Sequence, residues 1–202
     1  MELYVWFLIC VAGLVAIVPL YFLSVEHLKL RRKYGEQKGN RIGEILGLVS
    51  GWGFFLFWIG IWVSPQPRFV IPILQDLKVA VSGFSVPVLH VLVSVPFIGL
   101  GAWLGIAGAR EVTLRVSETH RTERIVTTGV YSVARHPQYL GGLLSHIGIS
   151  FLLSAFLSLI STPLVILIVY VLSRKEEREL MKEFGDEYVD YKGKVQMLIP
   201  RL

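Results

Sequence analysis

Four apolar stretches, separated by polar segments rich in Lys and Arg, set the rhythm of this chain. Residues 3–25 (LYVWFLICVAGLVAIVPLYFLSV) carry no charge. About 20 apolar residues cross a hydrocarbon core, so this stretch predicts a spanning helix. A cleavable signal peptide fits less well, because Glu2 stands where a basic n-region belongs and the run exceeds an ordinary h-region. A second span is predicted over 42–63, with Glu44 at its start and an aromatic cluster of Trp52, Phe54, Phe55, Phe57, Trp58 and Trp62. A third covers 84–109. Residues 66–83 hold Pro67, Pro72, Asp76 and Lys78 and read as a short interfacial segment. The last stretch, 140–173, is too long for one span and short for two. Ser161, Thr162 and Pro163 lie within it, and Pro suits the first turn of a new helix, so a hairpin of two short helices is predicted. The expected fold is an all-α integral membrane protein of about five transmembrane helices, with a helical C-terminal region outside the bilayer.

Charge placement then gives an orientation. The segments 26–41, 109–136 and 174–202 hold 18 of the 20 Lys and Arg residues; the other two, Arg68 and Lys78, fall between spans two and three. Five spans put the three basic segments on one side, which the positive-inside rule makes cytosolic, with the N-terminus outside. The composition agrees: 53% apolar and 17% charged, with a mean hydropathy of +0.60, against roughly 45–50% and 25% in soluble domains. The net charge of +5 reads as anchoring beside anionic lipid, with no call for nucleic acid. The basic run Lys29–Lys33 (KLRRK) reads chiefly as a topology signal, with specific lipid binding as the alternative. Cys10 is the only cysteine, which excludes a disulfide, a CxxC pair and a cysteine-rich metal site; no metal is expected. The chain reads as one domain, 1–202, with a scaffold over 1–98 and a catalytic region over 99–202. No internal repeat and no acidic or basic residue near mid-span suggests a transporter. His90 and His146 read as packing histidines before ligands.

Candidate chemistry gathers after residue 98. Gly99 and Gly101, followed by Gly105 and Gly108, form a small-residue face that suits helix packing, or close approach of backbone to a cofactor. Next comes GVYSVARHPQYLGG at 129–142. Pro137 suits a helix start, and Arg135 and His136 would sit beside its exposed N–H groups and positive end. Such a start can hold a carboxylate or a ribose hydroxyl, or can be an ordinary interfacial anchor. Third is RKEERELMKEFG at 174–185, where Leu180, Phe184, Tyr188, Tyr191 and Val195 make an apolar stripe. Gly185 and Asp186 look like a C-cap followed by an N-cap, so two helices joined by a tight turn are expected to fold over the membrane face.

As an ordered set, RHPQYLG, a hydrophobic hairpin, EE and FGDEYVDYKGKVQMLIP resemble the isoprenylcysteine carboxyl methyltransferase family and the wider group with membrane phospholipid N-methyltransferases. The resemblance covers roughly 125–200, with Gly99 and Gly101 matching the group's glycine pair loosely. It implies methyl transfer from S-adenosyl-L-methionine on a non-Rossmann helical membrane scaffold, to a lipid-like or prenylated acceptor. It places Arg124, Ile125, Val126, Tyr131, His136, Pro137, Gln138, Tyr139 and Glu176 around the cofactor. The family's substrate-binding arginine falls on Leu172 here. Arg174 is the substitute, Arg135 the reserve, and Glu177 or His136 the base if the acceptor is an amine. A sulfonium suits carboxylates and aromatic faces. An ionised acceptor carboxylate needs no base, only a cation and alignment. N- or S-methyl transfer, an NADPH-dependent sterol or isoprenoid reductase, and a non-enzymatic membrane protein are the alternatives.

Overall fold

A computed structural model of the chain describes residues 4–81, 83–112, 116 and 124–199. Arg115, Arg121 and Arg201, used above for orientation, lie outside the described residues. Helix α1 spans Val5–Val25, α2 His27–Tyr34 and α3 Glu36–Val63. A hairpin of β1 (Lys78–Val81) and β2 (Phe84–Pro87) leads into α4, Val88–Val112. After a 3-10 turn at Gly129–Ser132 come α5 (Pro137–Leu152), α6 (Phe156–Ile160), α7 (Thr162–Phe184) and α8 (Asp186–Lys194). Three helices, α1, α3 and α4, are long and apolar enough to cross a membrane. Their outward faces carry Trp6, Leu8, Leu56, Leu92, Val95 and Trp103, each more than half exposed, as a surface facing lipid does.

The expected segments recur with altered edges. Helix α3 begins at Glu36, six residues before the predicted 42, because α2 and α3 are separated only by Gly35 at φ +82°. The interfacial segment is not helical: β1 and β2 pair antiparallel with Lys78 opposite Pro87, and Gly83 turns between them at φ +85°. Alternating Val79, Val81 and Val86 favour that pairing over helix. The break in 140–173 comes earlier than Pro163. Ser154 takes φ +52° after α5, α6 adds a single turn, and α7 then starts at Thr162 with Pro163 in its first turn. This turn is held from the other side of the chain, where Ser154 and Pro67 carbonyls accept from Phe69 and Phe156 amides. Gln66 accepts the Ser158 amide at 2.8 Å. Gly185 ends α7 at φ +56° as expected, yet Gly185 itself, not Asp186, also caps α8. Asp186 and Glu187 instead occupy the first turn of α8, where the helix dipole favours them.

Side chains of α1, α3, α5 and α7 meet in one core: Leu14, Tyr21 and Val25, Trp58 and Ile61, Leu143, then Val165, Ile168, Val169 and Leu172. Helices α4 and α5 pack still closer, glycine on glycine. A Cβ at Gly101 would lie 2.6 Å from the Gly141 carbonyl, and one at Gly141 would lie 2.6 Å from the Gly101 carbonyl. Gly108 accommodates Gln138, and Gly148 accommodates Ile98. His90 and His146 are packing histidines. Trp58 and Trp62 indoles both donate to His146 Nδ1 at 2.9 Å, and its Nε2 meets the Ser158 carbonyl. His90 Nδ1 reaches Ser154 Oγ and the Phe151 carbonyl, while the Ile71 amide donates to its Nε2.

The glycine contact yields a stability prediction. Gly141→Val drives backbone against backbone and costs about 1–3 kcal/mol of stability, read as a lower melting temperature in detergent. Gly105→Ala, whose Cβ meets nothing within 4 Å, leaves that temperature unchanged.

Candidate active site

Helix α5 starts where three other segments converge. Its N-terminal neighbours, Arg135 and His136, have their amides bound to the carbonyls of Gln196 and Met197 at 2.9 and 3.0 Å. The C-terminal tail thus lies beside residues 134–136 like a parallel strand, Ala134 opposite Gln196. Arg135 is buried and ties this junction together. Its Nε donates to Glu177 Oε1 at 2.7 Å, and its Nη1 donates to the Lys192 and Val195 carbonyls. Glu177, 1% exposed, also faces Lys192 Nζ at 3.4 Å. Burial opposes its ionisation, but the nearby His136 ring and the hydrogen bonds and charge of Arg135 win and hold its pKa down to about 2.

Glu176 sits one residue away in a different environment. The Tyr139 hydroxyl donates to its Oε1 at 2.7 Å, and Tyr21 of α1 donates to the same oxygen while touching the Tyr139 hydroxyl. His136 Nδ1 stands 3.2 Å from the other oxygen, Oε2, and its ring stacks on Tyr139 at 5.5 Å and 10°. No Lys or Arg pairs with Glu176 among the described residues. Burial, with the nearby charge of Glu177, therefore pushes its pKa up to about 8. Burial likewise lowers the His136 pKa, against the pull of Glu177, so the ring is neutral. His136 Nε2 is buried and stands 3.5 Å from Glu177 Oε1, too far for a full hydrogen bond.

These groups line a cavity of about 880 Å³. Of the residues singled out in the sequence, Gly101, Arg124, Ile125, Val126, Tyr131, Arg135, His136, Gln138, Tyr139 and Glu176 stand on its wall. Gln138 Nε2 donates to the Tyr131 hydroxyl at 3.1 Å, and the Tyr191 hydroxyl donates to the Tyr131 carbonyl at 2.6 Å, so α5 and α8 fix this corner. Pro137 and Glu177 are buried just behind the wall. Gly99 is exposed and away from it, and so is Arg174. Leu172 does line the cavity.

Other wall residues were not assigned to the site from sequence: Tyr21, Val25 and His27 from the first helices, the aromatic cluster Trp52, Phe54, Phe55, Trp58 and Trp62 from α3, and Glu179, Leu180 and Glu183 from α7. The cavity is therefore two-ended. One end is polar, around Glu176, His136 and Arg124; the other runs along α3 and α5 past Trp58, Trp62, Gly142 and Ser145. A largely buried carboxyl with no cationic partner, beside aromatic faces, suits a cationic ligand.

Glu176 gives the site a pH dependence. Its folded pKa of about 8 exceeds its ordinary value of 4.5. The stability that its neutral form contributes is thus complete below about 4.5 and is lost as pH rises through about 8. Melting temperature should fall between about pH 4.5 and 8, and Glu176→Gln, permanently neutral, should flatten that fall. An equal slope in the variant would place the titration elsewhere.

Residues 89–187 match the model of the phospholipid methyltransferase family. Over 83 residues, 38% of this chain, it is 41% identical to protein-S-isoprenylcysteine O-methyltransferase of Saccharomyces cerevisiae, covering 32% of that protein. Protein-S-isoprenylcysteine O-methyltransferase B of Arabidopsis thaliana is 31% identical over 44% of both chains. Methanethiol S-methyltransferase 2 of Bradyrhizobium diazoefficiens is 37% identical over 36% of this chain and 27% of its own length. The chain thus spans between about a quarter and under half of the length of the curated relatives it matches. The matched region and the polar end of the cavity coincide: residues 89–187 are similar to the phospholipid methyltransferase family and to isoprenylcysteine O-methyltransferases.

Proposed function

We propose that this chain is a membrane methyltransferase that takes its methyl group from S-adenosyl-L-methionine and passes it to the carboxylate of an isoprenylcysteine-like acceptor. The observation that carries the reading is Glu176: a carboxyl with tyrosine and histidine partners but no cation, on the wall of a two-ended cavity. The donor supplies a positively charged sulfonium whose methyl is open to in-line displacement. Glu176, ionising as that charge arrives, would hold it together with the faces of Tyr131 and Tyr139. Neutral His136 on the cavity wall would meet a donor hydroxyl or carboxylate, and Arg124, Ile125, Val126 and Gln138 would complete the polar wall. Gly101 keeps α4 and α5 close enough to shape the cavity floor. Gly99, exposed and not on the wall, is left out of the donor-holding set in this reading.

The apolar end suits a lipid tail entering sideways from the bilayer, with Trp58 and Trp62 along its path. The five-span reading belongs to the same proposal. Helices α5 and α7 would pair as a short re-entrant or spanning hairpin, with 162–173 the apolar part of α7. The N-terminus would then lie outside and the polar end of the cavity at the cytosolic face. Residues 1–98 would act as scaffold and 99–202 as catalytic region, although Tyr21 and α3 reach the cavity from the scaffold.

An acceptor carboxylate needs a cation. Arg135 is bound to Glu177 and two carbonyls, which makes it a positioning residue for His136 and the tail. Arg124 is the remaining arginine on the wall among the described residues. Arg174 is exposed and would have to act from the cavity mouth. A second reading, transfer to a neutral sulfur or amine, is favoured by Leu172 on the wall and by the methanethiol S-methyltransferase relatives. Neutral His136 would then accept the proton of an amine, with ionised Glu177 beside it to stabilise the imidazolium.

The test is transfer of labelled methyl to a farnesylated cysteine analogue by the protein in lipid, followed by alkali. Label released as methanol supports the carboxyl ester; label retained by the product supports the second reading and overturns the first. His136→Ala and Glu176→Ala each weaken cofactor binding by roughly 10- to 100-fold in equilibrium titrations, with helical content unchanged. Unaltered binding in both variants contradicts the site.

A further inference from the structure

Beside the main cavity, on the far side of Glu179, lies a second cleft of about 620 Å³ between α2 and α7. Its walls are Leu28, Lys29, Arg32, Lys33, Glu179 and Lys182, four cations against one carboxylate. That carboxylate is already engaged: Glu179 Oε1 takes Lys175 at 3.0 Å and Lys182 at 2.8 Å. Lys29 pairs with Glu26 at 2.7 Å but is 69% exposed, where such a pair yields easily to a competing anion. Arg32 and Lys33 meet no carboxylate among the described residues. Positive charge is therefore left over, and it is concentrated in a concave place.

The cleft also has a fixed position. Helix α2 is eight residues long and joins α1 to α3, both apolar enough to span, so it lies at the membrane boundary. It is bolted to α7 by Arg31 with Glu183 at 2.6 Å and by Glu26 with Lys175 at 2.7 Å. Those pairs use residues other than Arg32 and Lys33, so the cleft is a shape held open by the fold. A fork-shaped guanidinium and flexible ammonium groups around a concave site suit a phosphate oxyanion. At a bilayer surface the abundant source is an anionic lipid headgroup, whose acyl chains would lie along the exposed apolar face of α1.

We propose that the α2–α7 cleft binds the phosphate of an anionic phospholipid, separately from any methyl acceptor. Occupancy would also brace Lys182 and Glu179, and so the wall shared with the main cavity. The test uses the purified full-length chain in detergent, titrated with dioleoyl phosphatidylglycerol or dioleoyl phosphatidylcholine and read by native mass spectrometry. Expected is a one-to-one adduct selective for phosphatidylglycerol. Arg32→Gln with Lys33→Gln, which spares the pairs bolting α2 to α7, weakens it roughly fivefold for each cation removed. Lys78→Gln, on the β-hairpin, leaves it unchanged. Equal retention of both lipids, or undiminished selectivity in the double variant with native helical content, overturns the proposal. Displacement by inorganic phosphate at the lipid's own affinity overturns the lipid as the source. Methyl transfer that persists while lipid selectivity is lost separates this site from the catalytic reading.

Discussion

Two charges that water cannot reach hold the working end of this molecule in shape. Arg135 and Glu177 are both buried, and removing either partner of such a pair costs about 3–5 kcal/mol, because the survivor is left uncompensated. Much follows from that constraint. The guanidinium reaches on to the Lys192 and Val195 carbonyls, so the tail after α8 must return to the start of α5. The returning tail in turn binds the Arg135 and His136 amides. Only then is His136 set between two carboxylates, close to Glu176 and to Glu177.

The adjacent carboxylates have opposite protonation because their surroundings differ. Glu177 faces Arg135 and Lys192 and stays ionised; Glu176 faces two tyrosines and is held near neutrality. Such a split, in two groups with consecutive positions on one helix, is what assigns separate tasks in a site. The ionised group stabilises architecture. The neutral one is a reserve of negative charge that appears only when a positive ligand brings compensation.

Much of this was legible in the sequence, and its limits have physical causes. The segment 135–142, the two glutamates and the Gly185 break mark the polar end because helix starts, paired charges and positive-φ glycine leave local signatures. The first three spans were legible from length and hydropathy alone. Tyr21 was not. In a helix that is apolar all round, no periodicity says which face turns inward, and its partner Glu176 is 155 positions away. Trp58 and Trp62 stand out in the sequence only as part of an aromatic cluster, and their indoles close on His146. Glycine spacing on α4 pointed to packing or to a cofactor; Gly101 proves to do the first while also reaching the cavity wall. Arg174 was chosen for closeness in sequence to Glu176, but two steps along a helix turn a side chain to a different face, and it is exposed.

The central claim is that Glu176 is neutral until a cation arrives. Calorimetry of S-adenosyl-L-methionine binding at pH 7, in buffers of different ionisation enthalpy, measures the protons released on binding. The account predicts release approaching one proton per donor bound in the wild-type chain, and none with Glu176→Gln. Binding without proton release in the wild type, or the same release in the variant, would contradict it.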